Sequence, residues 1–289
     1  MNTILKWAGN KSALMPELLK HLPKGPRLVE PFAGSCAVMM ATDYPHYLVA
    51  DINPDLINLY RQVQDNSESF IASAMGFFAT ANNESAYYKV REDFNHSREI
   101  TNFWRAIFFL YLNRHGYRGL CRYNKSGYFN VPYGNYKAPY FPEAEIRAFA
   151  EKARRATFIC THFEETLNML MPDDVLYCDP PYASDNGIIF TCYHTEGFTE
   201  DDQYRLASIL TRRAQQGYRI VASNSDSMLS RSLYRAFDCH NITAARSIGV
   251  AAGEGKSAAE IIAVSKPAAW FGCDFASARD YSAIHEVRA

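Results

Sequence analysis

Apolar positions along this chain recur in two rhythms. Short apolar runs bounded by polar residues predict buried strands over Arg27–Glu30, Tyr47–Asp51, Thr157–Thr161, Val175–Asp179, Tyr218–Ser223, Cys239–Ala245 and Glu260–Ser265. Between them apolar residues return every three or four positions, which predicts helices over Ser12–His21, Glu143–Arg155, Phe163–Leu170, Thr199–Gln216 and Met228–Phe237, with Ser12 placed to cap the first. From Pro54 to about Pro139 the strand pattern stops, and helices are predicted at Asp55–Gln64, Glu68–Phe78, Glu84–Phe94 and Glu99–Leu112. The run Phe103-Trp104, Ala106–Leu110 and Leu112 reads as packing. The pattern describes an α/β domain, 1–54 plus 142–270, interrupted by a helical insertion, 55–141, and followed by a tail, 271–289, that carries no signal.

At 289 residues the chain can bury a full α/β core with one inserted unit. Its net charge of −1 gives no global reason to bind nucleic acid, so any such partner has to be met by a local patch. The start lacks a secretory leader and no apolar run approaches membrane-spanning length, so the expectation is a soluble cytoplasmic protein with no membrane partner. Seven scattered cysteines without a CxxC pair predict neither a disulfide framework nor a metal site.

The first strand leads into Pro31-Phe32-Ala33-Gly34-Ser35-Cys36, a small-residue turn before a helix, and the second strand ends on Asp51. That acid lies seventeen positions after Gly34, close to the ~20 expected between a glycine turn and a ribose-binding acid. Cys36 stands where a second glycine would let a pyrophosphate approach the backbone, so an adenosine ligand without phosphates, such as S-adenosylmethionine, fits better than a dinucleotide. The strand Val175–Cys178 runs into Asp179-Pro180-Pro181-Tyr182, where prolines end sheet pairing and leave a carboxylate and a flat ring at the strand mouth. An ordinary strand exit would look the same. In the insertion, Arg98, Arg105, Arg114, Arg118, Arg122 and Lys125 face a single acid, Glu99, and are interleaved with aromatics through a loop-rich stretch up to Tyr136, with a hairpin near Ser126-Gly127. Cations for phosphates and rings for stacking suit nucleic acid; a solvated basic face is the bland alternative.

Six motifs occur in order: Lys6-Trp7-Ala8-Gly9-x-Lys11, Glu30-Pro31-Phe32-x-Gly34, Asp51-Ile52-Asn53, the segment Asn113–Asn124, Phe129-Asn130-Val131-Pro132 and Asp179-Pro180-Pro181-Tyr182. With these the chain resembles the Dam family of DNA adenine-N6 methyltransferases over about residues 3–267. The resemblance implies a mixed, Rossmann-like seven-stranded methyltransferase sheet with the insertion as DNA-recognition domain. It implies transfer of a methyl group from S-adenosylmethionine to adenine in double-stranded GATC, after base flipping, without metal, by a monomer in the cytoplasm of a bacterial or phage-infected cell, associated with its nucleoid. Catalysis would fall to Asp179, Pro180, Pro181 and Tyr182. Cofactor contacts would come from Trp7, Lys11, Glu30, Phe32, Gly34, Asp51 and Asp179, and DNA contacts from Lys6, Arg114, Tyr117, Leu120, Arg122, Asn124, Pro132 and Tyr136. Three residues depart from the family pattern: Asn10 and Cys36 replace glycines, and Arg118 replaces an asparagine. His194 is left outside the catalytic set. A DNA-binding protein with a dead methyltransferase core, a nicotinamide oxidoreductase and a methyltransferase acting on RNA or protein are the rivals. The first would lack Asp179 or Asp51, the second needs the missing glycines, and the third has no use for the basic aromatic insertion.

Overall fold

A computed structural model describes residues 3–9, 11, 14–182, 197–245 and 257–267. Asn10, Ser12, His194, the loop 249–256 and the tail lie outside the described residues. In chain order the elements are α1 (Met15–His21), β1 (Arg27–Glu30), α2 (Ala37–Ala41), β2 (His46–Asp51), α3 (Pro54–Thr80), α4 (Glu84–His96) and α5 (Asn102–His115). They continue with α6 (Glu143–Ala153), β3 (Ala156–Cys160), α7 (Phe163–Asn168), β4 (Val175–Cys178), α8 (Glu200–Gln215), β5 (Arg219–Ser225), α9 (Met228–Leu233), β6 (Phe237–Ala245) and β7 (Ser257–Ser265).

The seven strands form one sheet in the order β3-β2-β1-β4-β5-β7-β6. The first five are parallel, while β7 runs antiparallel to both β5 and β6. The chain steps outward from β1 through β2 to β3, then returns to place β4 on the other flank of β1. The order therefore reverses between β1 and β4, and such a reversal opens a crevice beyond the strands' carboxyl ends.

Strand alternation assigns the faces. Leu28, Tyr47, Val49, Val175, Tyr177, Val221 and Ile262 join the core that also holds Leu18, the α2 methionines and the insertion. Val29, Leu48, Leu176, Cys178, Ile220, Ala222 and Ile261 join a second core under α7 and α8. Continuing the same period of two, Glu30, Asp51, Asp179 and Glu260 all belong to the insertion's face. Glu260 pairs with Ser225 at the carboxyl end of β5, so all four acids also sit at one end of the sheet.

The insertion is built on α3. Asn53 caps this helix by accepting from the Asp55 and Leu56 amides at 3.0 and 3.2 Å, and Pro54 follows where a missing amide costs nothing. Two helices are expected, over Asp55–Gln64 and Glu68–Phe78, and α3 is indeed two helical segments that meet at a kink between those ranges, where Asn66 leaves helical geometry at φ −138° and ψ 36°. Thr101 caps α5, which shifts that helix downstream of its expected start and carries it to His115. Most of its apolar run is core, as expected: Ala106, Ile107 and the segment 109–112 are buried, and Phe103 and Phe108 pack against them half-buried, while Trp104 is exposed. The hairpin lies where Ser126-Gly127 predicts, closed by Asn124 N–H to Tyr128 O at 2.9 Å with Gly127 at φ +80°.

Candidate active site

The glycine turn is held from three sides. The Ala33 amide donates to Ala50 O at 2.8 Å, the Gly34 amide to Asp51 Oδ2 at 3.1 Å, and the Tyr60 hydroxyl to Gly34 O at 2.5 Å. Asp51 also accepts from the Asn53 amide at 2.9 Å, so its carboxylate is oriented by backbone on both sides. Gly34 has φ +46°, and a Cβ there would come within 3.0 Å of the buried Trp7 indole nitrogen. Here glycine is required twice, by conformation and by space. Cys36 adopts φ +57°, the region that favours glycine, and its buried thiol is pushed well above its usual pKa by burial. Phe32 stacks on Phe163 with centroids 5.6 Å apart, which fixes the far wall of the turn.

Across β1, the tetrapeptide closes the crevice. Asp51 and Asp179 end strands on opposite flanks of β1, so their backbones lie two strand spacings, or about 10 Å, apart. Asp179 Oδ1 meets Lys11 Nζ at 2.8 Å, and the same ammonium lies 4.6 Å from the centre of the Tyr182 ring. Burial pushes the Asp179 carboxyl up to about 6 against the downward pull of Lys11, with Glu260 adding to the rise. Burial likewise holds Glu30 at about 8, so it is protonated at neutral pH; its Oε1 has no hydrogen-bond partner. A buried polar atom without a partner, a glycine turn that a Cβ would fill and an oriented acid beyond it fit an adenosine-type methyl donor.

The N-terminal motif ties this crevice to the loop-rich segment. Asn113 accepts from the Lys6 amide at 2.9 Å and donates to Lys6 O and Gly119 O at 2.8 and 2.9 Å. Gly119 has φ +66°, and a Cβ on it would overlap the Lys6 side chain. Lys6 Nζ lies 4.2 Å from the Tyr136 ring centre, and the Tyr136 hydroxyl accepts from the Arg118 amide at 3.0 Å. Tyr117, Arg122 and Pro132 are exposed, Leu120 is half-buried, and Arg122 is braced by its Nε donating to Asn130 Oδ1 at 2.8 Å. Asn124 turns its own hairpin, with Oδ1 accepting from the Ser126 and Tyr128 amides, each at 3.0 Å.

Two cations of the basic stretch are corrected by the structure. Arg114, expected on the DNA surface, is 6% exposed and gives its guanidinium to Ile4 O and Thr3 O, so it anchors the N-terminal strap. Arg105 is paired with the buried Asp55 at 2.6 Å. Neither is available to a phosphate. Arg118 sits at φ +54°, a conformation asparagine tolerates better than arginine. Arg118→Asn should therefore raise unfolding stability by on the order of 1 kcal/mol, read from thermal melts; an unchanged or lower melting temperature would show that the strain is offset elsewhere.

Three residues around the tetrapeptide belong to none of the sequence motifs. Gln203 on α8 donates to Pro181 O at 2.6 Å, Asn224 on β5 donates to Gln203 Oε1 at 3.2 Å, and Glu260 on β7 accepts from the Tyr182 hydroxyl at 2.5 Å. The one available signal was Glu260 itself, an acid set into an otherwise apolar strand.

An open sheet reversing beside β1, a glycine turn facing an acid and Asp-Pro-Pro-Tyr at the mouth of β4 define a methyltransferase that acts on amino groups. The chain belongs to the D12 class N6 adenine-specific DNA methyltransferases, whose family model matches residues 7–248. It is 66% identical over 288 residues to the retron Ec67 DNA adenine methylase of Escherichia coli, with both chains covered completely. It is 44% identical over 265 residues to the DNA adenine methylase of Escherichia coli strain K12, covering 91% of this chain and 95% of that protein. Identity to the DNA adenine methylase of Vibrio cholerae serotype O1 strain ATCC 39541 is 44% over 266 residues, with the same coverage. The protein is thus an enzyme that methylates adenine in DNA at N6. Among the described residues no helix is long and apolar enough to cross a membrane, and no cluster of side chains could hold a metal ion.

Proposed function

We propose that the methyl donor is S-adenosylmethionine, that the target is the adenine of double-stranded GATC, and that the base is turned out of the duplex before transfer. The observation that carries this reading is Asp179, held by Lys11 at the sheet's switch point beside an aromatic ring. The donor supplies an electrophilic methyl group on a sulfonium. Trp7, Lys11, Glu30, Phe32, Gly34 and Asp51 form its cradle, and the insertion 55–141 presents the DNA through Lys6, Tyr117, Leu120, Arg122, Asn124, Pro132 and Tyr136.

Adenine N6 is a weak nucleophile because its lone pair is delocalised into the ring. The Asp179 carboxylate and the Pro180 carbonyl accept its two hydrogens, which favours a tetrahedral nitrogen with its lone pair aimed at the methyl. Positive charge develops on N6 as it takes the methyl group and the donor leaves as a neutral thioether, so a fixed carboxylate stabilises the transition state more than the neutral base, and N6 then loses one proton to give neutral N6-methyladenine. Pro180 and Pro181 restrict the backbone, and both acceptors are placed before substrate arrives. Flipping costs a few kcal/mol, and stacking on Tyr182 returns on the order of 1–3 kcal/mol.

Asp179 must be ionised to accept both charge and hydrogen bond. Its raised pKa places the loss of that form on acidification near pH 6 rather than near 3.8. In the free enzyme kcat/KM should fall about tenfold per pH unit below that point. A profile flat down to pH 5 would contradict the requirement for an ionised Asp179 with this raised pKa. The reading as a whole is tested by incubating plasmid with labelled S-adenosylmethionine and digesting with nucleases that differ in sensitivity to GATC methylation. Protection at GATC is expected; label without protection there would reject the sequence assignment.

A further inference from the structure

Glu260 lies on β7 beyond the matched family region 7–248 and is 7% exposed. It shares the sheet face and the sheet end of Glu30, Asp51 and Asp179, and its Oε2 takes the Tyr182 hydroxyl at 2.5 Å. A buried carboxylate is retained only with strong partners, and here the partner is the ring next to the reacting group. The preceding residue is fixed as well, because Pro181 O receives Gln203 Nε2, and Gln203 in turn receives Asn224. The ring is thus tethered at its hydroxyl and the backbone one residue earlier, from separate elements. Lys11 lies over the ring at 4.6 Å and adds a third constraint.

We infer that Glu260 is a positioning residue for methyl transfer, holding Tyr182 by its hydroxyl so that the incoming adenine meets a stacking face already in place. This rests on the reading that Tyr182 stacks the target base. Removing the tether leaves the ring free to rotate about its side-chain torsions and lets a flipped base adopt poses from which N6 misses Asp179 and Pro180. The loss falls on kcat with saturating DNA, while donor affinity stays unchanged because Glu260 stands on β7, two strands beyond β4 and away from the glycine turn and Asp51 at the ends of β1 and β2.

A double-mutant cycle tests this, using the full chain, labelled S-adenosylmethionine and a GATC duplex, with kcat, KM for DNA and donor affinity measured separately. Glu260→Ala and Tyr182→Phe should each lower kcat roughly ten- to a hundredfold, the size of one charge-assisted hydrogen bond. The double variant should be no slower than the worse single one, because both remove the same tether. Glu260→Gln, which keeps an acceptor oxygen, should stay within about threefold of the parent. If Glu260→Ala does not fold, Glu260→Met takes its place in the cycle, keeping the volume while removing the carboxylate acceptor, with the same expectation that Tyr182→Phe adds no further loss to it. Additive losses, or a Glu260→Ala enzyme as fast as the parent, would overturn the inference. Tyr182→Ala separates the two layers. A collapse of kcat there alongside additive losses removes only the role of Glu260, whereas unchanged turnover removes Tyr182 from base stacking and overturns both.

Discussion

Replacing Asp179 by alanine should leave binding of a GATC duplex within about threefold of the parent while lowering kcat by about 10²–10³, the size expected for one group aimed at developing charge. The cause is electrostatic. Asp179 is the carboxylate at the switch point, and Pro180 O alone cannot offset positive charge on N6. The substitution also leaves the Lys11 ammonium buried without its anion, an arrangement that costs stability. Asp179→Asn separates these effects, since it preserves volume and one acceptor oxygen but removes the charge. It should melt closer to the parent than the alanine variant and still lose at least about a hundredfold in kcat. Turnover near that of the parent in either variant would take Asp179 out of the chemistry.

Arg122→Ala should cost roughly 1–3 kcal/mol of discrimination at one guanine, about five- to 150-fold in relative kcat/KM between GATC and a duplex altered at that guanine. Arg122 is exposed, yet its guanidinium is already braced by Asn130 through Oδ1 at 2.8 Å and the backbone carbonyl at 3.2 Å. A fork held in this way loses little freedom on meeting a base edge. Loss of binding equally across all sequences, with a shallower salt dependence, would make Arg122 a phosphate clamp instead.

Much of the scaffold was legible because its parallel strands are buried on both faces. Leu28-Val29, Tyr47–Ala50 and Val175–Cys178 read as apolar runs, and each is followed by an acid at the crevice, Glu30, Asp51 and Asp179. The glycine turn was legible for the same reason, since Gly34 and Asp51 are close in sequence as well as in space. The cationic surface was less so. Nothing local to Arg114 says that its guanidinium turns inward to carbonyls 110 residues away, or that Arg105 meets an acid on α3. The brace behind Tyr182 was hidden similarly, because Glu260 is 78 residues from the ring it holds. A one-residue reading of strand alternation places such an acid on a face but cannot name its partner.

The departures from the family pattern also gain physical content. Cys36 and Arg118 both occupy left-handed backbone, at φ +57° and +54°, where glycine and asparagine are the less strained choices. The strain at Cys36 is held by a turn tied to Ala50, Asp51 and Tyr60.

GATC adenine methylation is tested most directly by methyl transfer to a synthetic duplex carrying one GATC site, with the labelled nucleoside identified by mass spectrometry after digestion. N6-methyladenine is expected at the GATC adenine, with transfer falling at least about a hundredfold when either guanine or the adenine is changed, and falling similarly on the intact site when Asp179 is replaced. Label on another base, or equal transfer to the altered duplexes, would contradict it.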